Sequence, residues 1–260
     1  MASGSLRPFS YERIPLASGL EIEASLSVPE EPDAMDAQAP IGTAPNNGIG
    51  IVGKKLAVCL HPWSRLGGRM DDPVLLISER AFVRSGYHVL RYNSRGVGNS
   101  SGWPSFTGLT EGQDLQDIIN WTLEKLKNIG SIVIMGYSHG ALIASLFPIL
   151  PEPIKVSHIL LSYPLGPRTW LTAFHSGTYT TTLNSLLQHP RSKVLIVFGD
   201  HDEFTGESSY DTWAEELRKQ GSGAGTGRLE IAKIGGATHF WTDEENARRR
   251  LVEKILDWVS

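Results

Sequence analysis

The sequence predicts an α/β protein with a mostly parallel central sheet that is covered by helices on both faces. From Lys55 onward, strand-like runs alternate with amphipathic segments of helical spacing. The runs themselves are apolar throughout, which is typical of strands that are buried on both faces of a sheet. With 260 residues, the chain suits one domain over residues 1–260.

The first elements are two short strands and a buried one. Tyr11–Pro15 and Leu20–Val28 have strand character and are separated by a Ser-Gly turn. Residues 31–53 are rich in Pro, Ala, Asn and Gly and predict a surface loop. The continuous apolar run in Lys55–His61 predicts a strand inside the sheet.

The rest of the chain repeats a strand and helix pattern. Apolar residues at helical spacing predict helices, whereas short apolar runs between turns predict strands. The predicted helices are Asp72–Ser85, Leu115–Leu126, His139–Leu150, Thr212–Lys219 and Asn246–Val259. The predicted strands are Tyr87–Tyr92, Ser131–Met135, Val156–Tyr163, Lys193–Phe198 and Leu229–Ile234.

Composition and charge exclude several classes of protein. The net charge of −4 is too small to predict nucleic acid as a partner. Cys59 is the one cysteine, so no intramolecular disulfide can form. No apolar run is long enough to span a membrane, and no signal peptide is apparent. We therefore expect a cytoplasmic protein without a membrane span; the sequence does not indicate its oligomeric state.

A nucleophile motif lies between a predicted strand and a predicted helix. Residues 136–140 read Gly-Tyr-Ser-His-Gly, which is the G-x-S-x-G pattern in the strand–turn–helix context that it requires. Glycines two residues on either side of Ser138 leave room for the crossing backbones. The helix N-terminus would direct free N–H groups toward a developing oxyanion. A simple strand–helix turn is the alternative interpretation.

From about Lys55 to Ser260 the chain resembles the alpha/beta-hydrolase superfamily. It is most similar to small, cap-poor serine hydrolases that carry a His-Pro segment after one strand and an Arg-Gly-x-Gly-x-Ser loop after the next. Here these motifs are His-Pro-Trp at 61–63 and Arg-Gly-Val-Gly-Asn-Ser at 95–100. The resemblance implies the alpha/beta-hydrolase fold with a minimal cap. It does not identify a substrate, because this fold supports many reactions.

The same resemblance implies the order serine, acid, histidine along the chain. His239 lies just after the last predicted strand, where the family places its base, although a surface histidine is the alternative. The Gly-Asp-His-Asp segment at 199–202 resembles the family's acid loop and points to Asp202. Asp200, expected to cap the turn, and Glu203 remain alternatives for the acid.

Other site residues follow from the mechanism that the resemblance implies. The backbone N–H groups of Trp63 and His139 are expected to form the oxyanion hole. Residues 168–192 form a short cap-like insert or else a plain surface connection. If the insert is a cap, we expect Trp170 and Phe174, with Trp241, to line a substrate pocket of mostly apolar character. Tyr179 and Leu183 belong to the same predicted apolar face.

The sequence thus predicts a serine hydrolase that cleaves a small-molecule ester or thioester through an acyl-enzyme. No cofactor and no metal is implied, since His61 has no further ligands at suitable spacing. A glycine-rich segment at 48–53 lacks the preceding strand and following helix that phosphate binding needs.

Two alternatives to the predicted ester or thioester hydrolysis stay open. The triad could serve C–C bond cleavage, acyl transfer or lyase chemistry, or the fold could be a non-catalytic binding protein.

Overall fold

The computed structural model describes residues 9–29, 53–165, 176–221, 223, 225–241 and 245–260. Within these ranges eight strands form one sheet. The strands are β1 Phe9–Pro15, β2 Glu21–Ser27, β3 Lys54–Leu60, β4 Tyr87–Tyr92, β5 Ile129–Tyr137, β6 Lys155–Leu161, β7 Lys193–His201 and β8 Arg228–Thr238. The helices are α1 Pro73–Arg84, α2 Leu109–Leu126, α3 His139–Ala144, α4 Ser176–Gln188, α5 Glu207–Gln220 and α6 Glu245–Val259.

The sheet is mostly parallel, as the sequence predicts. Its order is β1-β2-β4-β3-β5-β6-β7-β8. The pairs β1–β2 and β2–β4 are antiparallel, whereas the pairs from β4 through β8 are parallel. Since six neighbouring strands run in one direction, their carboxyl ends share one edge, and the loops that follow them meet there.

Helices cover both faces of the sheet, which confirms the predicted layers. Alternate residues of β3 point to opposite faces: Leu56, Val58 and Leu60 join one core, and Ala57 and Cys59 join the other. The first core is closed by α2, α3, α4 and α5, and the second by α1 and α6. Burial of each large aliphatic side chain in these cores contributes about 1.5–3 kcal/mol.

Three helix boundaries differ from the prediction by five or more residues, and one of them is the start of α5, which lies at Glu207 rather than Thr212. Helix α2 begins at Leu109 rather than at the predicted Leu115. The sequence does not indicate the earlier start, because the first turns lack apolar residues at helical spacing. Glu111 in the first turn is nevertheless buried and accepts the backbone N–H of Ser105 at 2.7 Å. Helix α3 ends at Ala144, well before the predicted Leu150. Pro148 accounts for this early end, because proline has no N–H to donate to the carbonyl of Ala144 and its ring would clash with that carbonyl in a continued helix.

The predicted cap-like insert at 168–192 is described only from residue 176, so Trp170 and Phe174 lie outside the described residues. The described part forms α4, a helix of 13 residues. Tyr179 and Leu183 are buried in the core, and the Tyr179 hydroxyl donates to the carbonyl of Thr107 at 2.8 Å. These two residues of the predicted apolar face therefore pack into the protein core. Among the described helices, none has the length and apolar character needed to cross a membrane.

Candidate active site

Ser138 lies in a sharp turn between β5 and α3 at the carboxyl edge of the sheet. Its φ of 55° and ψ of −119° are strained for a residue with a side chain. A Cβ atom on Gly140 would lie 2.5 Å from the carbonyl oxygen of Leu60, and one on Gly136 would collide with the carbonyl of Gly140. The two glycines therefore allow the strand, the helix and β3 to approach closely enough to form the turn.

Three side chains from separate loops form one continuous chain of hydrogen bonds. The Oγ of Ser138 lies 2.8 Å from Nε2 of His239, and Nδ1 of His239 lies 2.7 Å from Oδ2 of Asp202. All three residues are buried. They follow β5, β8 and β7, whose carboxyl ends meet at the same edge of the sheet. The structure thus brings together the three residues that the sequence indicates as nucleophile, base and acid.

Asp202 is held by four donors, which stabilise its buried charge. Its Oδ1 accepts the backbone N–H groups of Phe204 at 2.9 Å and Thr205 at 2.8 Å. Its Oδ2 accepts the Tyr210 hydroxyl at 3.2 Å, in addition to Nδ1 of His239. The turn cap that the sequence assigns to Asp200 is thus formed by Asp202 itself.

The two alternative acids contact the backbone of the loop that carries His239. Asp200 accepts the N–H of Gly236 at 2.7 Å, and Glu203 accepts the N–H of His239 at 2.8 Å. The carboxylate that is hydrogen-bonded to the imidazole ring of His239 is that of Asp202. Asp200 and Glu203 are therefore placed to hold the loop, not to orient the imidazole tautomer.

Tyr137 holds the same loop from the opposite side, a contact that the sequence analysis missed. Its buried hydroxyl donates to the carbonyl of His239 at 2.7 Å. Burial raises the pKa of Tyr137 above its ordinary value, so the hydroxyl stays protonated and able to donate. The backbone N–H of His239 donates to Glu203 and its carbonyl accepts from Tyr137, so both backbone polar groups of His239 have hydrogen-bond partners. The only sequence signal for Tyr137 is its place directly before Ser138.

Replacing Tyr137 with phenylalanine should lower kcat by about threefold to tenfold, because one hydrogen bond that positions His239 is lost. It should also lower the free energy of unfolding by about 1–3 kcal/mol, since a buried carbonyl loses its partner. Steady-state kinetics and denaturant unfolding measure both effects. Tyr179→Phe is the matched control. It also loses a hydrogen bond from a tyrosine hydroxyl to a carbonyl, at 2.8 Å, but that carbonyl belongs to Thr107 and not to a residue of the triad. Equal losses of kcat in the two variants would contradict the positioning role.

The two backbone groups expected to form the oxyanion hole belong to Trp63, in the loop after β3, and to His139, directly after Ser138. His139 is the first residue of α3, and N–H groups at that position have no partner within the helix. Trp63 lies just before a short 3₁₀ turn, Ser64–Leu66, and lines the pocket beside Ser138. The positive end of α3 also favours a negative charge at this point. This arrangement suits an oxyanion, and the role of both groups stays a prediction.

His61 braces the loop that carries Trp63. Its Nε2 accepts the N–H of Ser94 at 3.0 Å, and its Nδ1 donates to the carbonyl of Pro62 at 2.6 Å. Burial lowers the pKa of His61 to about 4, so the ring is neutral, as this bonding requires. Both ring nitrogens are engaged with backbone groups, which leaves neither for a metal ion. In the described part of the chain, no three His, Cys, Asp or Glu side chains cluster as metal ligands would.

A small cavity of about 260 Å³ opens beside Ser138 and His239. Three of its lining residues, Leu66, Phe204 and Phe240, are large apolar side chains that are also partly exposed to solvent. The opening of the cavity is therefore apolar. The lining residues are Pro62, Trp63, Leu66, Gly67, Gly68, Asp72, Tyr137, Ser138, Phe204, His239 and Phe240. An apolar cavity with few polar groups is typical of a site for small organic molecules.

The predicted pocket residue Trp241 does not line this cavity. It is buried in the core, and its indole N–H donates to Oγ of Ser162 at 3.0 Å. The backbone turns at Trp241, where φ is 56°, and the adjacent Phe240 faces the pocket instead. The expectation that Trp241 lines the pocket is therefore wrong, and the residue before it in the loop, Phe240, lines the cavity.

Comparison with known proteins identifies related chains. The model of the X-Pro dipeptidyl-peptidase (S15) family matches residues 25–162. An uncharacterized protein of Rickettsia prowazekii is 28% identical over 76% of this chain and 74% of its own length. An uncharacterized protein of Schizosaccharomyces pombe is 27% identical over 79% of this chain and 86% of its own length.

Solved structures with similar folds include alpha/beta hydrolases from Agrobacterium tumefaciens and Xanthomonas campestris. A serine hydrolase without a lid from Xanthomonas campestris has a TM-score of 0.68 at 22% identity, over 98% of this chain and 96% of its own. The esterase Pf2001 of Pyrococcus furiosus has a TM-score of 0.65 at 17% identity, over 98% and 94%. Est1E from Butyrivibrio proteoclasticus, solved with ferulic acid bound, has a TM-score of 0.66 at 18% identity, over 96% and 97%. At these identities the likeness shows the fold, which confirms the predicted alpha/beta-hydrolase architecture.

Proposed function

This chain belongs to the X-Pro dipeptidyl-peptidase (S15) family of hydrolases, and we propose that it cleaves carboxylic esters or thioesters of small molecules through an acyl-enzyme at Ser138. One observation carries the proposal. The hydrogen-bonded chain from Asp202 through His239 to Ser138 is complete and ends in an apolar cavity beside the serine. An activated serine next to such a cavity is what acyl transfer to a hydroxyl nucleophile requires.

The first half of the proposed reaction forms the acyl-enzyme. The Oγ of Ser138 attacks the carbonyl carbon while Nε2 of His239 accepts its proton. The N–H groups of Trp63 and His139 bind the oxygen of the tetrahedral intermediate. Collapse of the intermediate breaks the bond to the leaving alkoxide or thiolate, which takes the proton from His239.

The second half releases the acid and restores the enzyme. Water attacks the serine ester while His239 again accepts a proton, and a second tetrahedral intermediate forms at the same oxyanion site. When that intermediate collapses, the proton returns to Oγ of Ser138 and the carboxylic acid leaves. Asp202 keeps Nδ1 of His239 protonated throughout and stabilises the imidazolium.

The family description favours a second candidate, the release of X-Pro dipeptides from peptides. The same acyl-enzyme would form, with an amine as the leaving group. The esterases among the structural neighbours and the small apolar cavity support the ester as the better substrate.

A substrate panel separates these candidates. It contains nitrophenyl esters of short acids, an aliphatic thioester and an X-Pro nitroanilide, each assayed with the wild type and with His239→Ala. We expect the wild type to hydrolyse the esters and the thioester, and His239→Ala to lose that activity. Turnover of the nitroanilide alone would favour the peptidase. If no member is hydrolysed and Ser138 is also inert to a fluorophosphonate, the proposal fails and a binding role or other chemistry is favoured.

A further inference from the structure

The cavity beside Ser138 contains one acidic side chain that the triad does not use. Asp72 lines it together with Tyr137, Phe204 and Phe240, and it is the one carboxylate among the described residues of the lining. The residue is half-buried, whereas the neighbouring Asp71 is exposed. Asp72 therefore brings a carboxylate to the wall of the cavity beside Ser138.

The local role of Asp72 is to cap α1. Its Oδ1 accepts the backbone N–H of Val74 at 2.8 Å, and the N–H of Leu75 also contributes. Capping needs only an oxygen acceptor, which asparagine supplies as well as aspartate does. The cap alone therefore does not account for a charged group at the pocket wall.

No cation neutralises this carboxylate within the described part of the chain, where no Lys, Arg or His forms an ion pair with Asp72. The charged group that acts on it is Asp71, which has the same sign. Burial raises the pKa of Asp72, as expected for a carboxylate without a cationic partner. The neighbouring side chains of Phe204 and Phe240 are apolar and supply no counter-charge for this carboxylate.

We propose that Asp72 is a specificity-determining residue that selects substrates carrying a positive charge, such as an ammonium group, close to the scissile ester or thioester. This inference rests on the proposed function. A cationic group in the cavity would gain the partner that the carboxylate lacks, whereas a carboxylate-bearing substrate would be repelled. A neutral substrate of the same shape would depend on the apolar walls alone.

Asp72→Asn tests the proposal, because it removes the charge and keeps both the volume and the cap. Substrates are matched pairs that differ in charge only. Acetylthiocholine and its tert-butyl isostere probe the leaving-group side. Phenyl esters of trimethylammonio-butyrate and of its tert-butyl isostere probe the acyl side. Assays at about pH 8 stay far above the ordinary pKa of aspartate. Asp71→Asn is the control, since it makes the same charge change at an exposed site.

In at least one pair, we expect the kcat/KM ratio of cationic to neutral substrate to fall on the order of tenfold in Asp72→Asn and to stay near the wild-type value in Asp71→Asn. An unchanged ratio in both pairs, with Tm unaltered, would overturn the proposal, as would an equal fall in both variants. A wild type that hydrolyses none of the four and does not react with a fluorophosphonate would refute the proposed function instead. Hydrolysis without charge preference would refute only the role of Asp72.

Discussion

Replacing Ser138 with alanine is expected to lower kcat for esters on the order of a millionfold, the scale seen when a serine protease loses its nucleophile. The reason is that His239 then has no hydroxyl to deprotonate. Alanine keeps the backbone of the turn and removes a single oxygen, so the fold should be unaffected. Discontinuous assays with long incubation and a reactive nitrophenyl ester measure the fall in kcat.

The same variant should no longer react with a fluorophosphonate, which forms a covalent bond to an activated serine. Ser145→Ala is a matched control, because that buried serine lies on the same segment and its hydroxyl only donates to the carbonyl of Leu142 at 2.7 Å. It should be labelled like the wild type. Labelling of Ser138→Ala at another serine, found by peptide mass spectrometry, would refute Ser138 as nucleophile.

Asp202→Asn is expected to lower kcat on the order of 10⁴-fold, as the corresponding change does in a serine protease. The amide can still accept the N–H groups of Phe204 and Thr205 through one oxygen, so the turn should survive. Its NH₂ group would then face Nδ1 of His239. The ring must present a lone pair there and carry its proton on Nε2, where it can no longer accept the proton of Ser138.

Asp200→Asn and Glu203→Gln are the controls for this variant. Each keeps an oxygen acceptor for its backbone partner, the N–H of Gly236 or of His239. We expect less than about a tenfold loss of kcat in either, since a neutral acceptor still makes one ordinary hydrogen bond. If Asp200→Asn or Glu203→Gln is more damaging than Asp202→Asn while all three remain folded, the acid has been assigned to the wrong residue.

The sequence indicates the sheet and the triad because each depends on local signals. Continuous apolar runs predict strands that are buried on both faces, and such strands lie in the parallel part of a sheet. Parallel strands bring their carboxyl ends to one edge, so Ser138, Asp202 and His239 can meet although they are far apart in sequence. Spacing within the motifs then selects these residues from among the other serines, aspartates and histidines.

The pocket wall could not be predicted in the same way, because it depends on the path of the loops. Phe240 and Trp241 are adjacent aromatic residues, and the positive φ at Trp241 decides which of them faces the cavity. The indole of Trp241 donates to Ser162, which follows a different strand. No periodicity in the sequence encodes such a contact.

For a related reason, the sequence does not indicate Tyr137 or Asp72 as site residues, and it indicates Glu203 only as an alternative acid. Each has a local role that sequence patterns suggest, as a strand end, a helix cap or an alternative acid. Their functional contacts are with residues distant in the chain, such as the hydrogen bond of Tyr137 to the carbonyl of His239. Only the packing of β5 against the loop after β8 creates that contact.

The central claim is that Ser138 carries the acyl group during turnover, and trapping that intermediate tests it most directly. The wild type is mixed with an excess of a reactive ester, quenched in acid within milliseconds to seconds and analysed by intact and peptide mass spectrometry. We expect a mass gain equal to one acyl group on the peptide that contains Ser138, and no gain in Ser138→Ala. An acyl group on another residue, or ester turnover that Ser138→Ala retains at the wild-type rate, would contradict the account.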